Sequence, residues 1–252
     1  MRKRSLGIIG AMLVLMILVS GCISSGGSNS TTTTTTSSNL PFTKEQLESA
    51  VAGINSYEYV MDVKTYNGTK LAATLHSSVA IDKENKMKSS VTVANKTGRL
   101  IYAVYYYTTK AGFVTLTNKS GLVNWQFSCY DTGKGPEMNS TLLDNLWKDF
   151  PLENATVTAE ADYYLITVNH TIWSEKGNEK DYSGTVTVKL TKDLIPVEIV
   201  QRTYYRRDGQ RWVDEVKIEI QNVNSVSVKP PEPLVDYLKS QGVDLEELLG
   251  KC

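Results

Sequence analysis

The sequence predicts an α+β fold: a large curved antiparallel sheet of about ten or eleven strands, an open or half β-barrel wrapped around one or two helices. Three observations predict it. A capped amphipathic helix opens the region after residue 40. From Asn55 the hydrophobic period switches from helical to alternating, in short runs of Val, Thr, Tyr and Ile between turn residues. A single helical stretch then interrupts the alternation before it resumes.

The chain begins with a different kind of segment. Arg2, Lys3 and Arg4 precede an apolar stretch from Leu6 to Val19, broken only by two glycines. Its 14 residues suit the core of a signal peptide better than a membrane span, which needs roughly 20. The stretch ends in Val19-Ser20-Gly21-Cys22, which resembles the lipobox of exported lipoproteins. That resemblance implies a signal peptide over residues 1–21 and a lipid thioether on Cys22. An ordinary cleaved signal peptide, or a short uncleaved anchor with Cys22 incidental, are the other readings. Residues 22–39 hold the cysteine and a Ser/Gly/Asn segment with a threonine run, Thr31 to Thr36. Such composition cannot bury a core and reads as a solvated tether. Removing residues 1–21 takes away three positive charges and no negative one, turning a net charge of zero into −3.

Residues 40–252 then form one domain. Thr43 and Gln46 make a capping box, Phe42 and Leu47 a hydrophobic staple, and Leu47, Ala50, Val51 and Ile54 one helical face. Strands are expected near 56–66, 70–82, 86–94, 100–109, 112–117 and 122–129, with Asn67-Gly68 turning the first hairpin. A second helix is expected from Thr141 to Phe150, where Leu143, Leu146, Trp147 and Phe150 share a face and Pro151 stops the next turn. Strands resume near 155–161, 163–173, 182–191, 195–206 and 211–223, with Asp208-Gly209 turning the last hairpin. In the last strand Trp212, Val216, Ile218 and Ile220 face one way, and Glu215, Lys217, Glu219 and Gln221 the other. After Pro230, Pro231 and Pro233, residues 234–249 read as one or two short helices, with Asp244 and Glu247 as a capping box. This tail is expected either across the barrel mouth or on its outside.

A capped helix leading into Ile54-Asn55-Ser56-Tyr57-Glu58-Tyr59-Val60-Met61-Asp62-Val63, followed by a long meander with an interrupting helix, resembles the LolA-like lipoprotein-carrier superfamily and the LppX/LprG-type lipid-binding lipoproteins. The resemblance spans about residues 42–225. It implies a half-open barrel around helices whose apolar hollow holds lipid or acyl chains. It carries over no catalytic signature.

Chemistry templates fail. There are two histidines, His76 and His170, no C-x-x-C, no H-E-x-x-H, no G-x-S-x-G and no phosphate-cradling glycine loop. No cofactor or metal is expected, and an enzyme is the minority reading. Balanced charge leaves no footprint for nucleic acid. His170 shares a strand face with Tyr164, Ile166, Val168 and Ile172, as a polar contact in a hollow or as a core-edge histidine bonded to backbone. Tyrosine outnumbers phenylalanine 14 to 4, and Tyr105 and Tyr107 share a face; these rings either line an amphipathic cavity or reflect strand propensity. The residues expected to meet a ligand are Tyr105, Tyr107, Tyr164, Ile166, Val168, His170, Trp212, Val216 and Ile218.

Seven Asn-x-Ser/Thr sequons start at Asn29, Asn67, Asn95, Asn118, Asn139, Asn154 and Asn169. Those from Asn67 to Asn169 are expected glycan acceptors, with sequence bias in a Thr-rich chain as the rival account. With Cys22 lipidated, Cys129 and Cys252 remain, and an exported chain favours a disulfide between them over two free thiols. Together these readings predict a glycosylated lipoprotein on the outer face of a cell membrane, of archaeal type, that binds a lipid-like ligand without catalysis. A filled-barrel module of the cell envelope that contacts other envelope proteins is the alternative, and a hydrolase with carboxylates converging from separate strands is the third.

Overall fold

The computed structural model describes residues 40–131, 135–138, 141–148, 150–173, 180–207 and 209–252, with backbone alone at 171–173 and 180–182. The signal-type segment, Cys22, the tether, Asn29, Asn139 and Asp208 lie outside these residues.

Eleven strands form one antiparallel sheet. They are β1 (Ser56–Asn67), β2 (Lys70–Asp82), β3 (Met87–Lys96), β4 (Arg99–Thr108), β5 (Gly112–Lys119), β6 (Leu122–Cys129), β7 (Thr156–Ala159), β8 (Tyr163–Trp173), β9 (Lys180–Thr191), β10 (Pro196–Arg207) and β11 (Gln210–Gln221). Their order is β6-β5-β4-β3-β2-β1-β11-β10-β9-β8-β7. That order is linear, with β6 and β7 as edges, so the sheet is open and not a closed barrel. All eleven expected strands are present, with ends displaced by a few residues. The helices are α1 (Lys44–Ala52), α2 (Leu142–Leu146), α3 (Glu232–Ser240) and α4 (Leu245–Gly250). Two compact units divide the single domain expected from the sequence: one holds the chain up to Gly53 with 140–214, the other Ile54 to 139 with Glu215–Cys252.

In the first unit, α1 starts as its sequence dictates. The Gln46 backbone N–H donates to Thr43 Oγ1 (3.3 Å), and Gln46 Oε1 accepts from the Thr43 N–H (2.7 Å). Phe42 and Leu47 are buried, and the Phe42 ring meets Tyr164 of β8 edge-on at 5.4 Å. The second helix is shorter than expected. It ends at Leu146, and the Lys148 N–H donates to the Asn145 carbonyl. Phe150 precedes Pro151, which disfavours helical backbone there. Trp147 and Phe150 stay buried, edge to face at 5.3 Å, as the chain enters a 3-10 turn at Leu152–Asn154.

In the second unit the pairing registers define two sheet faces. One carries the cross-strand rows Tyr57–Ile81–Lys88–Thr108–Phe113 and Tyr59–Val79–Ser90–Tyr106–Thr115. The other carries Tyr105 and Tyr107 beside Leu116 and Val114. The C-terminal tail covers this second face: Leu234, Leu238, Leu245 and Leu248 pack with Tyr107, Val114 and Leu116. Burying each of these leucines is worth roughly 2 kcal/mol. Of the two placements left open for the tail, the structure takes packing on a sheet face. Asp244 caps α4 by accepting the Glu247 N–H at 2.9 Å. A disulfide joins Cys129 to Cys252 with Cα atoms 5.3 Å apart. It runs so close to β5 that a Cβ on Gly112 would sit 2.5 Å from the Ser128 carbonyl oxygen and 3.0 Å from Cys252 Sγ. Glycine alone fits that approach.

Candidate functional site

The expected ligand residues separate by face and by unit. In the second unit Tyr105 and Tyr107 lie on the face covered by α3 and α4, where Tyr107 is part of the packed cluster and Tyr105 lies against it. The chain itself fills that face. The middle tyrosine, Tyr106, points the other way and shares its face with Tyr59, Val79 and Ile81. Val216 and Ile218 are buried core residues of β11.

On the Tyr106 face lies a group that sequence reasoning passed over. Lys88 sits between Ile81 and Thr108 in its cross-strand row, and cross-strand neighbours bring their Cβ atoms to about 5 Å. It is partly buried, and burial holds its amine below the usual lysine range. Among the described residues it makes no hydrogen bond and no ion pair. The strand residues sharing this face on β1–β5 include no Asp or Glu. A buried cation without a counter-charge is costly, because water has been lost and nothing replaces it.

Hydroxyls and rings surround that position. Thr108 Oγ1 lies 3.0 Å from the Tyr130 hydroxyl and donates to the Gly112 carbonyl at 3.2 Å. The Tyr130 and Tyr106 hydroxyls are 3.4 Å apart. Phe113 bridges the two tyrosines, with centroids at 6.0 Å from Tyr106 and 5.8 Å from Tyr130. Tyr57 and Tyr59 stack at 6.2 Å on the same face. Burial raises the phenol pKa of both Tyr59 and Tyr106, so these hydroxyls stay protonated and can donate. One cation beside redirectable O–H donors, above aromatic and aliphatic surface, can take an anionic group whose remainder is apolar.

In the first unit, Tyr164, Ile166, Val168 and His170 do share a face of β8, opposite Leu190, Val188, Val186 and Gly184. Ile166, Val168, Val186, Val188 and Leu190 are buried core. The rows turn polar toward His170. The imidazole lies over Gly184, where a Cβ would fall 2.7 Å from His170 Cε1 and 2.3 Å from the Arg202 carbonyl oxygen. Burial lowers the His170 pKa and favours the neutral ring. Thr203 stands opposite Gly184 and accepts from Gln201 Nε2 at 3.0 Å. Gln201 Oε1 and Trp212 Nε1 are buried with no hydrogen-bond partner among the described residues, and the Arg207 guanidinium lies 5.9 Å from the Trp212 ring. Neither of the two readings of His170, contact or core edge, requires more than this.

A cleft of about 230 Å³ opens between α1 and α2, lined by Glu48, Val51, Leu143, Asp144, Trp147 and Lys148 among others. That is below the roughly 300–1,000 Å³ of small-molecule sites. Among the described residues no cluster of His, Cys, Asp and Glu could hold a metal ion, and no helix is long and apolar enough to cross a membrane. Of the expected glycan acceptors, Asn154 and Asn169 are exposed, while Asn67, Asn95 and Asn118 lie half-buried in strand ends.

No protein-family model and no curated protein matches the chain. Among solved structures it is similar to a DUF1329 family protein from Desulfovibrio piger, at 12% identity and a TM-score of 0.27, covering 81% of this chain and 97% of that one. A LolA superfamily protein from Nitrosomonas europaea follows at 10% identity and a TM-score of 0.25, covering 77% of this chain and 96% of that one. Scores this low establish neither a shared function nor a shared ligand.

Proposed function

We propose that this is an extracytoplasmic protein, held to a membrane by a lipid on Cys22, that shields the apolar part of an amphipathic ligand and makes or breaks no bond. The polar end of the ligand is an anion, a carboxylate or a phosphate, seated at Lys88. The observation that carries the reading is a partly buried lysine, with no partner among the described residues, on a face of rings and aliphatic side chains. Such a cation is unfavourable in the empty protein and becomes favourable when an anion joins it. The resemblance of the Ile54–Val63 join to lipid carriers supports the same reading. The exposed Asn154 and Asn169 are the glycan acceptors this reading retains.

Native mass spectrometry of the protein purified from its host, followed by organic extraction, tests it directly. A stoichiometric anionic lipid is expected. In parallel, oleate and its neutral methyl ester are titrated against the protein and Lys88→Met. The wild type should prefer oleate, and Lys88→Met should lose about tenfold for oleate while leaving the ester unchanged, since a desolvated charge-assisted contact is worth on the order of 1.5 kcal/mol. A clean protein that takes up neither probe sinks the carrier reading and leaves the envelope module with a self-filled sheet. Equal loss for both probes removes Lys88 from the site.

A further inference from the structure

Strands β1 to β6 run as consecutive antiparallel hairpins, so the β1–β2, β3–β4 and β5–β6 turns all lie at one end of the second unit's sheet. The turns are tight. Asn67 pairs with Lys70, Lys96 with Arg99, and Lys119 with Leu122, leaving two residues in each loop. Thr97-Gly98 and Ser120-Gly121 take positive φ at both positions, and Gly68 does so at the first. With strands about 4.8 Å apart, successive tips stand roughly 10 Å from one another.

Every tip presents both apolar and cationic side chains. Leu71 (45% exposed), Leu100 (41%), Leu122 (79%) and Val123 (43%) flank the turns. They are four of the five large hydrophobic residues that stand exposed among the described residues. Lys70, Lys96, Arg99 and Lys119 stand exposed beside them. None of these four makes an ion pair among the described residues. Residues 64–71, 94–101 and 117–124 contain no Asp or Glu, whereas the turn at the opposite end between β2 and β3 mixes Asp82 and Glu84 with Lys83 and Lys86. Leucines left in water among uncancelled cations are unusual on a chain whose region after residue 21 carries a net charge of −3.

We propose that these three hairpin tips dock on an anionic lipid bilayer, the lysines and Arg99 at the headgroups and Leu71, Leu100 and Leu122 entering the interface. The complementarity of charge selects the occupant: each cation near an anionic membrane surface contributes about fivefold in binding, and the leucines add apolar burial that a soluble acidic partner need not offer. The proposal does not depend on the ligand reading. Three sequons share this end, at Asn67, Asn95 and Asn118, but Asn118 Oδ1 already serves the fold by accepting the Gly121 N–H at 2.9 Å. A glycan at any of the three would hold the tips off a bilayer.

Hydrogen exchange on the full chain reconstituted in vesicles tests this. Amides of residues 68–72, 97–101 and 119–123 should exchange several-fold more slowly on phosphatidylglycerol/phosphatidylcholine vesicles than on phosphatidylcholine alone, and the difference should vanish in molar salt. The combined variant Lys70→Glu, Lys96→Glu, Arg99→Glu, Lys119→Glu should lose the protection. Leu122→Ser, an exposed and fold-neutral change, should weaken it at 119–123. Equal exchange on both vesicle types, protection that survives charge reversal, or occupied glycans at Asn67, Asn95 or Asn118 in the native protein would each overturn the proposal.

Discussion

The two faces of the second unit's sheet solve the same problem in different ways. On one, Tyr107, Val114 and Leu116 are covered by leucines of α3 and α4, and a disulfide fastens the cover. On the other, Tyr57, Tyr59, Ile81 and Tyr106 share their rows with Lys88. A face that the chain fills itself carries only groups that satisfy one another. The second face is also buried at Tyr57, Val79 and Ile81, yet it holds a cation with no counter-charge among the described residues.

Four experiments break or sharpen this contrast. The largest effect is expected from opening the disulfide, by Cys252→Ser or by reduction. Its 123-residue separation gives an upper value of roughly 4–5 kcal/mol in the chain-entropy model, read as a fall in the denaturation midpoint. If stability were unchanged, the cover would hold without its fastening. Next, Leu238→Ala on the covered face should cost about 3 kcal/mol, since the side chain is fully buried and leaves a cavity. A loss below about 1 kcal/mol would mean that the cover is loosely packed.

At Lys88 on the other face the sign should reverse. Lys88→Met is expected to raise the stability of the ligand-free protein by on the order of 1 kcal/mol, because it removes a buried charge and keeps the volume. A destabilisation would show that Lys88 is already compensated. The smallest effect is a pH dependence. Burial lowers the Lys88 pKa, so between the lowered value and about 10.4 the unfolded chain binds the extra proton and stability rises with pH. An anion bound at Lys88 should push its pKa back up and flatten that rise; chemical denaturation with and without oleate reads the difference.

The strands and caps were legible because they are local. Thr43 and Gln46 specify a capping box wherever they fall, and period-two runs specify strands. What was not legible is which face of a given strand joins which face of its neighbour. On β3 the alternation points to Met87, Val91 and Val93 as the core side and to Lys88, Ser90 and Thr92 as the wet side. Pairing with β2 and β4 instead sets Lys88 in a row with Ile81 and Thr108. The same ambiguity set Tyr105 and Tyr107 toward the tail and Tyr106 toward the lysine. Register belongs to pairs of strands, and no single strand's composition reveals it. The second helix ends at Leu146 although its apolar positions continue to Phe150, because Trp147 and Phe150 are buried from the turn that follows the helix as well as they would be from a further helical turn.

The covering of Tyr107, Val114 and Leu116 by α3 and α4 also has a price in time. The leucines that close this face are encoded more than a hundred residues after the strands that need them. At a synthesis rate of about 5–20 residues per second, β4 and β5 wait on the order of ten seconds before their cover exists. Throughout that interval they are a sticky hairpin, and a cell that makes this protein must keep them apart from one another until the tail arrives.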